Sequence, residues 1–124
     1  MIRILVVDDE AHIRLLYSEE LKDDGYEVIT AESGDGLLDT IAKEKPSLII
    51  LDIKMGTHNG LDLLQDIRNH YYDLPVILST AYDSFKEDMK SMAANDYVIK
   101  SFDLAELKKS IKKSLEASGV VSGK

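Results

Sequence analysis

Ile4-Leu5-Val6-Val7-Asp8-Asp9-Glu10 decides how the rest of the chain is read. Four apolar residues run without interruption and stop at three acids. A strand with one face in water alternates polar and apolar residues, so a continuous run indicates a strand covered on both faces, as in a parallel sheet. Four more such runs follow: Val28–Thr30, Leu48–Leu51, Val76–Leu78 and Tyr97–Ile99. The segments between them have helical spacing. Ile13, Leu16, Tyr17 and Leu21 line one face of the first, and Leu61, Leu64 and Ile67 one face of the third. Leu104, Leu107, Ile111 and Leu115 do so in the last. The fourth, Phe85 to Ala94, has the least regular pattern, carried by Phe85, Met89, Met92 and Ala93.

The punctuation agrees with this division. Gly25 closes the first helix, Ser33 is the candidate cap of the second although Gly34 and Gly36 weaken its first turn, and Pro46 leads into the third strand. Asp103 with Glu106 forms a capping pair for the last helix. Five strand–helix units in alternation predict an α/β fold, a doubly wound five-stranded parallel sheet with five helices on its two faces. At this length the expected form is flavodoxin-like, with strand order 2-1-3-4-5. One domain is expected over residues 1–117, and residues 118–124, with two glycines and two serines, form a frayed tail.

In such sheets ligands bind beyond the carboxyl ends of the strands, at the point where the order reverses. Strand 1 ends in Asp8-Asp9-Glu10, strand 3 in Asp52, strand 4 in Ser79-Thr80 and strand 5 in Lys100. Each follows an apolar run directly, so all should project from one rim. Carboxylates gathered there repel one another, and a divalent cation relieves the repulsion. Oxygen donors without His or Cys suit Mg²⁺ better than Ca²⁺ or Mn²⁺. A lysine and a hydroxyl alongside could hold phosphoryl oxygens, so the rim looks built to carry a phosphoryl group on a carboxylate.

Composition narrows the class. The 124 residues are 44% hydrophobic, enough for a core. The net charge of −8 argues against direct nucleic-acid binding. The absence of cysteine excludes disulfides, thiol chemistry and iron–sulfur clusters, and it fits a cytoplasmic protein. No segment approaches the ~20 apolar residues of a membrane span, so no membrane insertion is expected. Ile4–Val7 is shorter than the roughly 7–15 apolar residues of a secretory signal. Residues 1–99 hold 9 basic and 20 acidic residues, whereas residues 100–124 hold 6 and 3. Lys108, Lys109, Lys112 and Lys113 make the last helix basic. The plain reading is a solvated face with cations near the helix C-terminus, where the dipole favours them; a partner-binding face is the other.

The stretches Ile4 to Glu10, Leu51-Asp52-Ile53-Lys54-Met55 with Gly60, Ser79-Thr80-Ala81, and Tyr97-Val98-Ile99-Lys100 with Phe102 resemble the receiver domain of two-component response regulators, over essentially the whole chain. The resemblance includes the single-domain chemotaxis and sporulation-phosphorelay receivers, the latter also through Lys54 and Tyr82. It implies that Asp52 is the phosphoacceptor and that Asp8 and Asp9, with the backbone carbonyl of Lys54, complete an Mg²⁺ site. Thr80 is then the switch hydroxyl, Tyr97 the switch aromatic, and Lys100 the partner of the phosphoryl oxygens. The implied donor is a sensor histidine kinase or a histidine phosphotransfer protein. A downstream target would read the strand 4–helix 5 face. Such a protein is a signalling switch or relay intermediate that catalyses only its own phosphorylation and dephosphorylation. Two positions depart from the family pattern: Gly56 and Ser101 stand where proline is usual. Before serine a cis bond costs ~2.5–4 kcal/mol, so a trans Lys100–Ser101 bond is expected.

Two rival chemistries share parts of this pattern. An Mg²⁺-dependent phosphohydrolase with an aspartyl nucleophile places an acid two residues after it as general acid/base, where this chain has Lys54. A flavodoxin-type electron carrier needs a Ser/Thr/Gly-rich phosphate loop after strand 1, where this chain has three acids. His12, His58 and His70 lack a ligand spacing and are expected at the surface, and Gly34-x-Gly36 is too short for a phosphate loop.

Overall fold

The computed structural model describes residues 2–52, 54–55, 58–80, 96–100 and 104–117, without the side chains of residues 54, 55, 58, 59 and 80. Strands β1 (Arg3–Val7), β2 (Glu27–Ala31), β3 (Leu48–Asp52), β4 (Val76–Thr80) and β5 (Asp96–Ile99) form one sheet. Its order is β2-β1-β3-β4-β5 and every pair is parallel. Helices α1 (Ala11–Asp23), α2 (Leu37–Glu44), α3 (Gly60–His70) and α4 (Ala105–Ala117) cover it. The expected doubly wound topology is therefore observed, with each strand run extended by a residue or two. The helix expected over 85–94, the Asp103 cap, Ser101 with its peptide bond to Lys100, and the tail at 118–124 lie outside the described residues.

Alternation along the strands divides the core in two. Ile4, Val6, Leu48, Ile50, Ile77 and Val98 pack with α1 and α4. Leu5, Val7, Ile49, Leu51, Val76 and Leu78 pack with α2 and α3. All five residues of β3 are buried, which explains why its run shows no alternation. The apolar stripe of α1 enters the first layer through Ile13, Tyr17 and Leu21, and that of α4 through Leu107, Ile111 and Leu115.

The helix ends follow local chemistry. At the end of α1 the Tyr26 amide donates to the Leu21 carbonyl and the Gly25 amide to the Lys22 carbonyl. This is a Schellman closure, and it requires the positive φ of 95° that Gly25 adopts. Ser33 does not cap α2. Its hydroxyl accepts from the Asp35 amide in a local turn, and Gly36 in a left-handed conformation starts the helix instead. The two glycines delay the helix beyond the serine's reach. No basic residue occupies the last turn of α4, so its lysines do not serve the dipole there.

The facial assignment of α4 can be tested by paired substitutions. Ile111→Ala should lower unfolding free energy by about 2–5 kcal/mol, because it opens a cavity under the sheet. Lys112→Ala, one residue on and exposed, should change it by no more than about 0.5 kcal/mol. Urea titration of the two variants is the check, and equal losses would place the stripe wrongly.

Candidate phosphoacceptor site

The parity that sorts the core also builds the site. Position 8 continues the 4, 6 alternation of β1, and 52 continues the 48, 50 alternation of β3. In the same way 79 follows 77 on β4 and 100 follows 98 on β5. Asp8, Asp52, Ser79 and Lys100 thus emerge at the carboxyl rim on the side that carries α1 and α4.

Asp8 and Asp52 are 2% and 4% exposed. Two adjacent buried carboxylates need a counter-charge, and Lys100 supplies it. Its Nζ lies 2.8 Å from Asp8 Oδ2, 3.2 Å from Asp52 Oδ2 and 3.0 Å from Glu10 Oε1. Burial alone would lower the ammonium pKa, but hydrogen bonds to Asp8 and Glu10 and the charges of Asp52 and Asp8 raise it above the ordinary lysine value. Lys100 in turn holds the Glu10 carboxyl below its ordinary value, first by its hydrogen bond and then by its charge.

Asp8 is fixed from several sides. Its amide donates to the Ala31 carbonyl at 3.0 Å. Its Oδ1 accepts from the Glu10 amide at 2.9 Å, and its carbonyl accepts from Arg14 Nη1 at 2.7 Å. The loop after β1 is thereby held against both β2 and α1. Asp9 is exposed, yet carboxylate oxygens of Asp8, Asp9 and Asp52 all lie within 4.8 Å of one another.

The expected site residues therefore divide into three groups. Asp8, Asp9, Asp52 and Lys100 are brought together. Lys54 follows β3 in a two-residue antiparallel ladder with Asn59, and Thr80 ends β4 paired with Ile99; their side chains lie outside the description. Tyr97 stands apart from the acids, on the opposite side of the sheet, packed against the α2–α3 layer. His12 is exposed, with Nε2 3.9 Å from Glu10 Oε2, and makes no site of its own. Sequence reasoning had Glu10 at the rim without giving it a partner, and it gave no role to Tyr17 or to Ser79 alone. Tyr17 Oη lies 3.3 Å from Ser79 Oγ beneath the cluster. The strand alternation that places Asp52 also places Ser79, so that signal was present.

A five-stranded doubly wound domain with buried acids and one lysine at its switch point belongs to the class that handles charged groups at a sheet rim. The comparisons define it further: residues 4–112 match the response regulator receiver domain, and the chain belongs to that family. It is 38% identical over 122 residues to the probable transcriptional regulator ycf27 of Porphyra purpurea, covering 97% of this chain and 50% of that protein. The chain thus spans about half the length of that relative. It is 33% identical over 115 residues to sporulation initiation phosphotransferase F of Bacillus subtilis, covering 91% of this chain and 93% of that one. Among solved structures, the response regulator TrrA of Thermotoga maritima in complex with Mg(2+)-BeF is 47% identical with a TM-score of 0.89, covering 93% of this chain and all of that one. TrrA is also known in complex with the histidine kinase ThkA, at 48% identity and a TM-score of 0.86, covering 93% and 99% of the two chains.

Removing the Lys100 charge should expose the cost of the acid pair. Lys100→Met takes the ammonium from between the buried Asp8 and Asp52, and should lower unfolding free energy by about 3 kcal/mol at neutral pH in metal-free buffer. The folded ammonium pKa is raised, so the contribution is complete below the unfolded lysine value of about 10.4 and is lost only as pH climbs past it. Urea unfolding of both proteins at neutral and alkaline pH checks this. A gap that is absent at neutral pH would show that Lys100 does not hold the acids.

Proposed function

We propose that this chain is a phosphorylation-driven signalling switch in the cytoplasm that accepts a phosphoryl group on Asp52 from a phosphohistidine. The observation that carries the reading is the Lys100 ammonium between the buried Asp8 and Asp52 carboxylates, with Asp9 beside them. An Asp52 carboxylate oxygen attacks phosphorus in line. The P–N bond breaks and its electron pair returns to the donor imidazole. Lys100 exchanges its carboxylate partners for phosphoryl oxygens and stabilises the charge that spreads over them.

The donor set fits a hard divalent cation. Asp8, Asp9 and Asp52 offer three carboxylates with oxygens within 4.8 Å of one another, and neither His nor Cys is among them. These residues, with the Lys54 backbone carbonyl, would hold Mg²⁺, as the Mg(2+)-BeF complex of TrrA supports. The ion supplies charge neutralisation at the transferring group. The local charge shows the need. Asp8, Asp9, Glu10 and Asp52 are four carboxyl groups against the Lys100 ammonium and the Arg14 guanidinium, so the cations are outnumbered before a phosphoryl group arrives.

Phosphorylation draws the Thr80 hydroxyl toward the new oxygens, and Tyr97 follows into the space vacated, altering the surface around β4, β5 and α4 for a downstream protein. The donor is a sensor histidine kinase or a histidine phosphotransfer protein, a reading supported by the TrrA–ThkA complex. The likeness to a sporulation phosphotransferase over nearly its full length supports a relay role. Apart from its own phosphorylation and dephosphorylation the chain turns over no substrate, in keeping with Lys54 at the place where a hydrolase needs an acid.

Incubation with acetyl phosphate and Mg²⁺ should add one phosphoryl group to the intact mass of the wild type and none to Asp52→Asn. An equal gain in the variant would overturn the assignment of Asp52. Thr80→Ala should still be phosphorylated while the chemical-shift response at Tyr97 is largely lost. A full Tyr97 response in that variant would break the proposed coupling.

A further inference from the structure

One polar pair in the core has no part in the chemistry just described. Tyr17 of α1 is 1% exposed and Ser79 of β4 is 0% exposed. Their oxygens are 3.3 Å apart. Around them the layer is aliphatic, with Ile13 and Leu21 on α1 and Ile50, Ile77 and Val98 on the sheet. Two apolar side chains would fill this space without any polar desolvation, whereas each buried hydroxyl depends on the other for satisfaction.

The place of the pair gives it a consequence. Ser79 is the register partner of Asp52 across the β3–β4 ladder and immediately precedes Thr80. Tyr17 lies on the helix that begins directly after Asp8-Asp9-Glu10. The Tyr17 hydroxyl is within electrostatic range of the cluster. Burial raises its pKa, the Ser79 hydrogen bond and the Lys100 charge oppose the rise, and the Asp8 and Asp52 charges add to it. The two hydroxyls therefore form a polar tie beneath the acids, joining α1 to the end of the strand that carries Thr80.

We propose that Tyr17 is a positioning residue for the phosphoacceptor site, holding the carboxyl end of β4 in register with Asp52 through its hydrogen bond to Ser79. It touches no reacting atom. Its effect runs through Ser79 to the neighbours on either side, Asp52 across the ladder and Thr80 along the strand. The inference rests on Asp52 as phosphoacceptor. Small misplacements of a reacting group cost rate even when its chemistry is intact, so loss of the tie slows transfer; of the carboxylates that would hold the metal only Asp52 borders Ser79 in the ladder, and Asp8 and Asp9 keep their places.

The experiment measures phosphorylation of the full chain by acetyl phosphate at saturating Mg²⁺ in wild type, Tyr17→Phe, Ser79→Ala and the double variant. Mg²⁺ affinity and thermal unfolding are recorded for each. Tyr17→Phe keeps the ring and removes only the hydroxyl. Each single variant should be slower by about threefold to tenfold, the range a neutral hydrogen bond carries. The double variant should be no slower than the singles, because both remove the same bond. Mg²⁺ affinity should fall by less than the transfer rate does, because Asp8 and Asp9 are untouched. In the wild type, with ¹³C-labelled tyrosine, the ring signal absent from Tyr17→Phe should shift on adding Mg²⁺ with beryllium fluoride, and the shift should vanish in Ser79→Ala. Single variants that phosphorylate within twofold of the wild type, with only their unfolding temperatures lowered, would reduce the pair to packing and overturn the proposal. Losses that multiply in the double variant would overturn it too. A wild type that takes no phosphoryl group overturns the reading of Asp52 and this proposal together, whereas a competent wild type beside unaffected variants overturns this proposal alone.

Discussion

Burying two carboxylates side by side is costly, and the Lys100 ammonium is what makes it tolerable. Its contacts of 2.8 Å to Asp8 and 3.2 Å to Asp52 draw the ends of β1, β3 and β5 toward one point. The strands are not neighbours in sequence, and β5 forms the sheet edge farthest from β2. An ion pair across β1, β3 and β5 therefore sets the geometry of the rim in a way that ladder hydrogen bonds, which join only adjacent strands, do not. Glu10, half exposed at 47%, gives the ammonium a third acceptor on the solvent side. The lysine thus closes the site while its outermost partner stays in water, where an ion pair is weakly held.

The sheet separates the acid cluster from Tyr97. Asp8, Asp52, Ser79 and Lys100 emerge on the α1–α4 side by strand parity, whereas Tyr97 packs with the α2–α3 layer. β4 and β5 join the two sides at the rim: Leu78 and Tyr97 are register partners, and Thr80 pairs with Ile99 one step beyond Ser79 and Val98. A packed sheet interior deforms little, which favours two discrete arrangements of its edge over a graded response.

Most of the topology was legible because strand and helix periods differ so plainly here. The five apolar runs and the Leu104–Leu107–Ile111–Leu115 stripe have one physical reading each, and the structure places all of them accordingly. The gathering of Asp8, Asp9, Asp52 and Lys100 followed from their positions at strand ends. Partnership was less legible. Four rim acids and one rim lysine do not say which oxygens the nitrogen meets, since that depends on side-chain reach and burial. Ser33 is not the cap because the glycines at 34 and 36, whose weakening of the first turn is legible in the sequence, postpone the helix altogether. The Tyr17–Ser79 pair stayed hidden for a different reason. A tyrosine on an apolar stripe reads as core, and only the three-dimensional register shows that its hydroxyl lies against a serine 62 residues away.

The basic last helix shows how a charge pattern can serve the fold before it serves a partner. Lys108 Nζ lies 3.0 Å from Glu20 and 3.4 Å from Asp24, both from the end of α1. α1 and α4 share the first hydrophobic layer, and these contacts pin their outer edges together above it. The pairs are partly exposed, so their value lies more in orientation than in energy. Lys109, Lys112 and Lys113 remain, and none stands in the last turn where a helix dipole would favour it. The cationic character of the segment thus has two parts: one lysine consumed in fixing α4 against α1, and three that leave a positive field on a chain of net charge −8. That field lies on the helix after β5, on the same side of the sheet as the acid cluster. Exposed charges of this kind act over about one Debye length, roughly 8 Å at physiological salt, so the field belongs to the outer face of α4 and leaves the geometry of the rim to Lys100.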